Sequence, residues 1–143
     1  QGIDQIEAEC YRLHASRGLD LVVIDYLQLI TGRSESRLEL VSEISRRLKS
    51  LAKNLDVPVI ALSQLNRGLE SRSIPRPMLS DLRESGQIEQ DADKVIMIYR
   101  PSVYDRDGDD VLIVSKNRSG NCGDVPVLWT GKFQRFTEIQ RYF

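Results

Sequence analysis

Residues 21–29 read LVVIDYLQL. Leu21, Val22, Val23 and Ile24 form an apolar, β-branched run without alternation, the pattern of a strand buried on both faces. Asp25 closes that run. An ionised carboxylate is costly to bury, so an acid placed here sits where a strand meets solvent, a metal or a partner. In open α/β sheets the carboxyl ends of the strands are also where ligands bind. On this stretch alone Asp25 has two open readings, a cap for the following loop or a carboxylate of a ligand site.

Upstream, Ile3, Ile6, Cys10 and Leu13 recur at helical spacing with Asp4, Gln5, Glu7 and Arg12 between them, which predicts an amphipathic leading helix within residues 1–18. Gly18 is placed to end it, and His14 reads as packing or surface. Downstream, a short polar stretch precedes Ser36, which with Glu39 matches a capping box. Leu38, Val41, Ile44, Leu48, Leu51 and Leu55 then form one helical stripe, flanked by Arg46, Arg47, Lys49 and Lys53. Basic residues late in a helix suit its dipole, and that reading is preferred here to a nucleic-acid surface. Asn54 and Asp56 break the helix. Residues 57–62, VPVIAL, give a second buried strand, its proline tolerated near the start. Helix, strand, helix, strand at crossover spacing predicts a parallel sheet in an α/β domain.

Residues 63–90 change character. They are polar, contain Arg67, Arg72, Arg76 and Arg83 with no lysine, and are punctuated by Gly68, Pro75, Pro77 and Gly86. A stretch this long without apolar periodicity is a functional loop or a disordered one. Leu79, Leu82 and Ile88 offer seats for short helical pieces. Residues 95–98 give a third buried strand. DRDGDD at 105–110 resembles a calcium loop, but Lys116 stands where the bidentate Glu is required, so a tight turn is expected. Strands over 111–115 and 125–129, the polar turn 117–124, and the Gly131–Lys132 turn into Phe133, Phe136 and Ile139 predict a hairpin or meander at the sheet edge.

The bulk properties restrict the class. At 143 residues, with 41% hydrophobic and 29% charged residues, the chain can bury the core of one domain. Its net charge of −1 excludes a basic nucleic-acid binder by composition, so any DNA contact comes from a local cluster. Two isolated cysteines and a single histidine argue against both a disulfide framework and a zinc site. No apolar run reaches the length of a membrane span, and the start has no signal core, so a cytoplasmic location is expected. Gln1 in place of Met gives the expectation of a piece of a longer protein.

GxxxxGK[ST], GxGxxG, HExxH and GxSxG are all absent from the sequence. What remains is a constellation at strand ends: Asp25, then Ser63 and Gln64, each directly after an apolar run. A carboxylate that holds a hard cation through water, beside a neutral amide that senses a terminal phosphate, is the donor set of a Mg²⁺–phosphate site. For Lys116 and Arg118 the residues alone favour a solvated strand end.

Four segments in order, VVIDYLQLI, VPVIALSQLNRGLESR, RPMLSDLRESGQIEQDADKVIMIYR and SKNRSGNCGDV, resemble the motor domain of the DnaB family of bacterial replicative DNA helicases. The resemblance runs from about residue 19 to residue 139. It implies an α/β, RecA-like fold, a mostly parallel sheet flanked by helices, with the meander at the carboxyl end. It implies that residues 1–143 are part of a helicase motor domain, from the Walker B strand onward. It also implies a homohexamer that encircles single-stranded DNA and moves along it with ATP and Mg²⁺, served by a helicase loader and a primase. Asp25 then resembles the Walker B aspartate that holds Mg²⁺, and Gln64 the glutamine coupling the γ-phosphate to DNA-facing loops. Arg83, Glu84 and Gly86 fall in the loop that meets the DNA backbone. Lys116 and Arg118 resemble the basic pair that reaches a neighbouring subunit's nucleotide. The family's phosphate-binding loop and catalytic glutamate have no counterpart in these residues, and SGNCGD stands where a proline-bearing turn is more usual. The expectation is therefore weak nucleotide binding and no hydrolysis by this chain alone. Two alternatives remain, a RecA-like ATPase of recombination or regulation, and a non-catalytic assembly module.

Overall fold

A computed structural model describes residues 1–34, 36–104 and 107–139, without the side chains of 83–85. The chain forms two compact units, Gln1–Asn66 with Ser80–Ala92, and Arg67–Leu79 with Asp93–Phe143.

In the first unit, α1 (Ile3–Arg17) buries Ile3 and Cys10 of the expected stripe and leaves Ile6 and Leu13 half-buried. It begins at Gly2, whose N–H donates to Gln5 Oε1 (3.3 Å). It ends at Gly18, with φ 80°, whose N–H donates to His14 O. His14 itself is exposed. Strand β1 (Val22–Ile24) is followed by a 3-10 turn (Leu27–Leu29), α2 (Arg37–Leu55), β2 (Val59–Ala61) and α3 (Gly86–Asp91). The two strands pair in parallel in the register Val22↔Val59, Val23↔Ile60, Ile24↔Ala61. A parallel pair needs a long crossover, and α2 supplies it. Its stripe Val41, Ile44, Leu48, Leu51 and Leu55 is buried, with Ile44 fully so.

Three expectations are corrected here. Neither strand is buried on both faces: in β1 Val22 and Ile24 are buried but Val23 is 55% exposed, and in β2 Val59 is half-buried while Ile60 (53%) and Ala61 are exposed. Leu38 is 52% exposed, because it lies in the first turn of α2, ahead of the buried stripe that starts at Val41. Ser36 is the N-cap of α2 but makes no side-chain cap; Glu39 instead accepts from Ser34 Oγ (3.0 Å), which removes the reciprocal partner of a capping box.

Ionic and polar pins hold the helices. Arg47 of α2 reaches α1 at Glu7 (2.5 Å) and Asp4 (2.6 Å), and Glu43 within its own helix (3.5 Å). The fork onto Glu7, and then Asp4, pushes the guanidinium pKa still further up. Ser45 of α2 and Gln87 of α3 both donate to the Asp91 carboxylate, at 2.8 and 2.9 Å.

The second unit is an antiparallel sheet ordered β3-β4-β5-β6, the meander expected from the turn spacing. Its strands are β3 (Lys94–Tyr99), β4 (Asp110–Asn117), β5 (Gly123–Thr130) and β6 (Arg135–Glu138). The third strand was expected to be buried throughout, but it alternates: Val95, Met97 and Tyr99 are buried, Ile96 and Ile98 exposed. Antiparallel sheets with one covered face read this way. Trp129 and Phe136 pack across β5 and β6 with ring centroids 4.6 Å apart, and Arg100 lies over Trp129. Of the 105–110 turn, residues 105 and 106 lie outside the described set; Gly108 supplies a φ of 138°.

The arginine-bearing stretch is organised rather than loose. It contains 3-10 turns at Arg67–Ser71 and Leu79–Ser85 and runs into α3, and it buries Leu69, Leu82 and Ile88. Within the second unit Arg76 donates to both carboxylate oxygens of Asp124 (2.6 Å each) and lies over the Tyr99 ring, between the buried Pro75 and Pro77.

Candidate functional site

The parallel pairing continues past the strands. Leu62 N–H donates to Ile24 O, and Leu27 N–H to Leu62 O, each at 2.9 Å. The segments carrying Asp25 and Ser63–Gln64 therefore leave the sheet side by side at its carboxyl end. Asp25 is exposed, as are Leu21 and Val23 before it; Gln64 is exposed, as are Ile60 and Leu62. The Asp25–Tyr26 peptide is cis. Asp25 and Gln64 are thus both exposed at the carboxyl end of the parallel pair.

A residue not singled out in the sequence joins them. Gln28, half-buried in the 3-10 turn after Asp25, accepts the Gln64 N–H on Oε1 (3.2 Å). Its Nε2 donates to Ser63 Oγ (3.1 Å) and to Gln64 O (3.3 Å). Its own carbonyl accepts from Arg37 Nη2 (2.9 Å), at the start of α2. The available signal was the single polar residue inside LQL, directly after Leu27, which seats the turn on the core.

Lys116 and Arg118 stand at the end of β4 in the second unit. The register shifts between Val95 and Ile96, leaving Ser115 as the extra residue of a β-bulge directly before Lys116. Bulges re-aim side chains, and no sequence feature announces this one. Arg118 is anchored to the entry of β3: its N–H donates to Asp93 O (2.9 Å), and Nη1 to Asp93 Oδ1 (3.2 Å). The turn beyond is closed by Asn117, which accepts from Ser119 N–H and Oγ and donates to Asn121 O.

Arg83 and Glu84 lie on the 3-10 turn Leu79–Ser85, with side chains outside the described set. Gly86 is exposed, opens α3, and has nothing within 4 Å of an added Cβ. Asp25, Gln64 and Gly86 belong to the first unit, Lys116 and Arg118 to the second. The first unit thus carries one exposed carboxylate, Asp25, and one exposed side-chain amide, Gln64, at the carboxyl ends of two strands paired in parallel.

The fold is that of a RecA-like α/β domain, and comparison with known proteins agrees. The family model "DnaB-like helicase C terminal domain" matches residues 1–138, and the chain belongs to this family. It is 47% identical to the replicative DNA helicase DnaC of Bacillus subtilis over 99% of the chain, and 54% identical to the replicative DNA helicase DnaB of Leifsonia xyli over 94%. It spans about a third of the length of these relatives (33% and 31%). Among solved structures it superposes on an isolated ATPase domain with a TM-score of 0.90 and 40% identity, covering 98% of this chain and 52% of that one. It superposes as closely on a DnaB-like replicative helicase studied with primase (TM-score 0.89, 40% identity, 98% and 35% covered). No helix among the described residues is long and apolar enough to cross a membrane.

Proposed function

We propose that this chain supplies the Walker B half of the motor of a hexameric, ATP-dependent replicative DNA helicase acting in the cytoplasm. One observation carries the reading: Asp25 and Gln64, both exposed, follow the carboxyl ends of two adjacent parallel strands. ATP with Mg²⁺ fits that donor set, since a magnesium ion is commonly held by one or two carboxylates, through water, together with the phosphates. When bound, the Mg²⁺–nucleotide provides the scissile phosphoanhydride and offsets its charge. Asp25 orients the hydrated cation. Gln64 donates its amide N–H to the terminal phosphate and reports the phosphate's presence to the segment beyond it.

That segment runs through the arginine-rich stretch to Arg83, Glu84 and Gly86, which meet the backbone of single-stranded DNA. Lys116 and Arg118 act in trans, donating to the nucleotide held by the next copy in the ring, which gives the homohexamer a chemical reason. Primase and a helicase loader are the further partners, in keeping with the primase studied alongside the related helicase.

The phosphate-cradling GxxxxGK[ST] motif does not occur in the sequence, so the 143-residue chain by itself hydrolyses no ATP in this account. The test pairs the two preparations. The full-length protein is expected to unwind forked DNA with ATP while the 143-residue chain shows no turnover; steady hydrolysis by the chain alone, or no unwinding by the full-length protein, overturns the reading.

A further inference from the structure

We infer that Gln28 is a positioning residue that sets Gln64 for its task, an inference resting on the reading of Gln64 as the phosphate-sensing amide. The parallel ladder ends at the Leu62 and Leu27 hydrogen bonds, so Ser63 and Gln64 lie past the last strand-to-strand contact. From there one side chain takes over the work of a strand. The Gln28 amide grips the Gln64 residue from both sides, accepting its N–H and donating to its carbonyl, and it also donates to Ser63 Oγ. A primary amide offers one acceptor oxygen and two donor hydrogens, and here both ends are engaged. Holding both backbone groups of one residue fixes the direction in which its own side chain leaves.

Gln28 is also three residues after Asp25, on the turn that carries it. The grip therefore ties the carboxylate-bearing segment to the amide-bearing one across 36 residues of sequence. The Arg37 hydrogen bond to the Gln28 carbonyl fixes that turn to the start of α2, so the positioning residue is itself anchored. Gln28 touches no phosphate in this account; it acts through Gln64.

Three variants of the full-length protein test this by steady-state ATP hydrolysis at saturating single-stranded DNA. Gln28→Met keeps the length and packing of the side chain without its hydrogen bonds, and Gln28→Glu keeps an acceptor for the Gln64 N–H but loses the donor to the carbonyl. Gln28→Met is expected to lower kcat on the order of 10- to 100-fold, the scale of a misplaced reacting group, with KM for ATP moved by less than about twofold. Gln28→Glu falls between Met and wild type. The double variant Gln28→Met/Gln64→Ala is no slower than Gln64→Ala, because both changes act through one group. Losses that multiply in the double variant, or a normal kcat in Gln28→Met beside an impaired Gln64→Ala, overturn the positioning role alone. A normal kcat in Gln64→Ala overturns the reading of Gln64, and the role of Gln28 with it.

Discussion

Arg118 offers the sharpest quantitative contrast in the second unit. In the isolated chain its guanidinium donates to Asp93 at 3.2 Å, with 51% of the Arg118 and 60% of the Asp93 side chain exposed. An ion pair this open to solvent contributes about 0–1 kcal/mol, so releasing Arg118 from Asp93 costs little. A guanidinium presented in trans to a phosphoryl-transfer transition state contributes on the order of 10³ to 10⁵ in rate, or about 4–7 kcal/mol. The two magnitudes differ enough to decide the outcome. Arg118→Ala in the full-length protein is expected to lower ATP turnover by at least ~10³-fold, while Asp93→Asn changes it by less than ~5-fold, the equivalent of the surface pair. Mixing Arg118→Ala with wild-type subunits isolates the proposed trans contribution, because under that proposal each variant subunit is expected to disable the site of its neighbour rather than its own. The assay is steady-state hydrolysis against the fraction of variant subunit. A loss below tenfold in Arg118→Ala, or an Asp93→Asn loss as large as that of Arg118→Ala, refutes the reasoning.

Gly86→Ala separates folding from DNA contact, since an added Cβ meets nothing within 4 Å and the residue has no left-handed φ. Thermal stability is expected to hold or to rise by about 0.5 kcal/mol, from the lower helix cost of alanine, while affinity for single-stranded DNA falls in a filter-binding titration. Unchanged affinity removes Gly86 from the DNA contact. Arg47→Met tests the pin between α1 and α2. Only the Arg47–Glu7 pair is less than a third exposed on both sides, so Asp4 and Glu43 are discounted and the loss is about 1–2 kcal/mol, read by chemical denaturation. A denaturation midpoint equal to wild type contradicts that partition.

The pattern of apolar residues made the two helices, the parallel pair and the carboxyl-terminal meander legible, because each period is imposed by burial on one side. It misjudged how many faces are buried. LVVI and VIAL carry too few polar residues to show that Val23 and Ile60 face outward, and an all-apolar strand reads the same whether one face or two are covered. Leu38 fitted the stripe by spacing, yet the helix had only begun there. The exposed position of Asp25 and Gln64 at the strand ends was legible, because a polar residue that ends an apolar run has few inexpensive explanations. Gln28 was not, since its role depends on a partner 36 residues away that only the pairing register brings near. The Ser115 bulge before Lys116 and the Arg118–Asp93 anchor share that character, since register is not written in any one segment, and the Arg76–Asp124 pair joins a loop to a strand 48 residues on.

The central claim is that Asp25 is the carboxylate that holds the Mg²⁺ of a nucleotide site. The measurement that tests it most directly is ATP hydrolysis by the full-length protein carrying Asp25→Asn, followed across a Mg²⁺ titration. Asp25 is exposed, so the substitution leaves the fold intact. Turnover is expected to fall by at least ~10²-fold with the Mg²⁺ dependence shifted to higher concentration, as loss of the charged cation ligand at the strand ends requires. Wild-type turnover with an unshifted Mg²⁺ profile would contradict the claim.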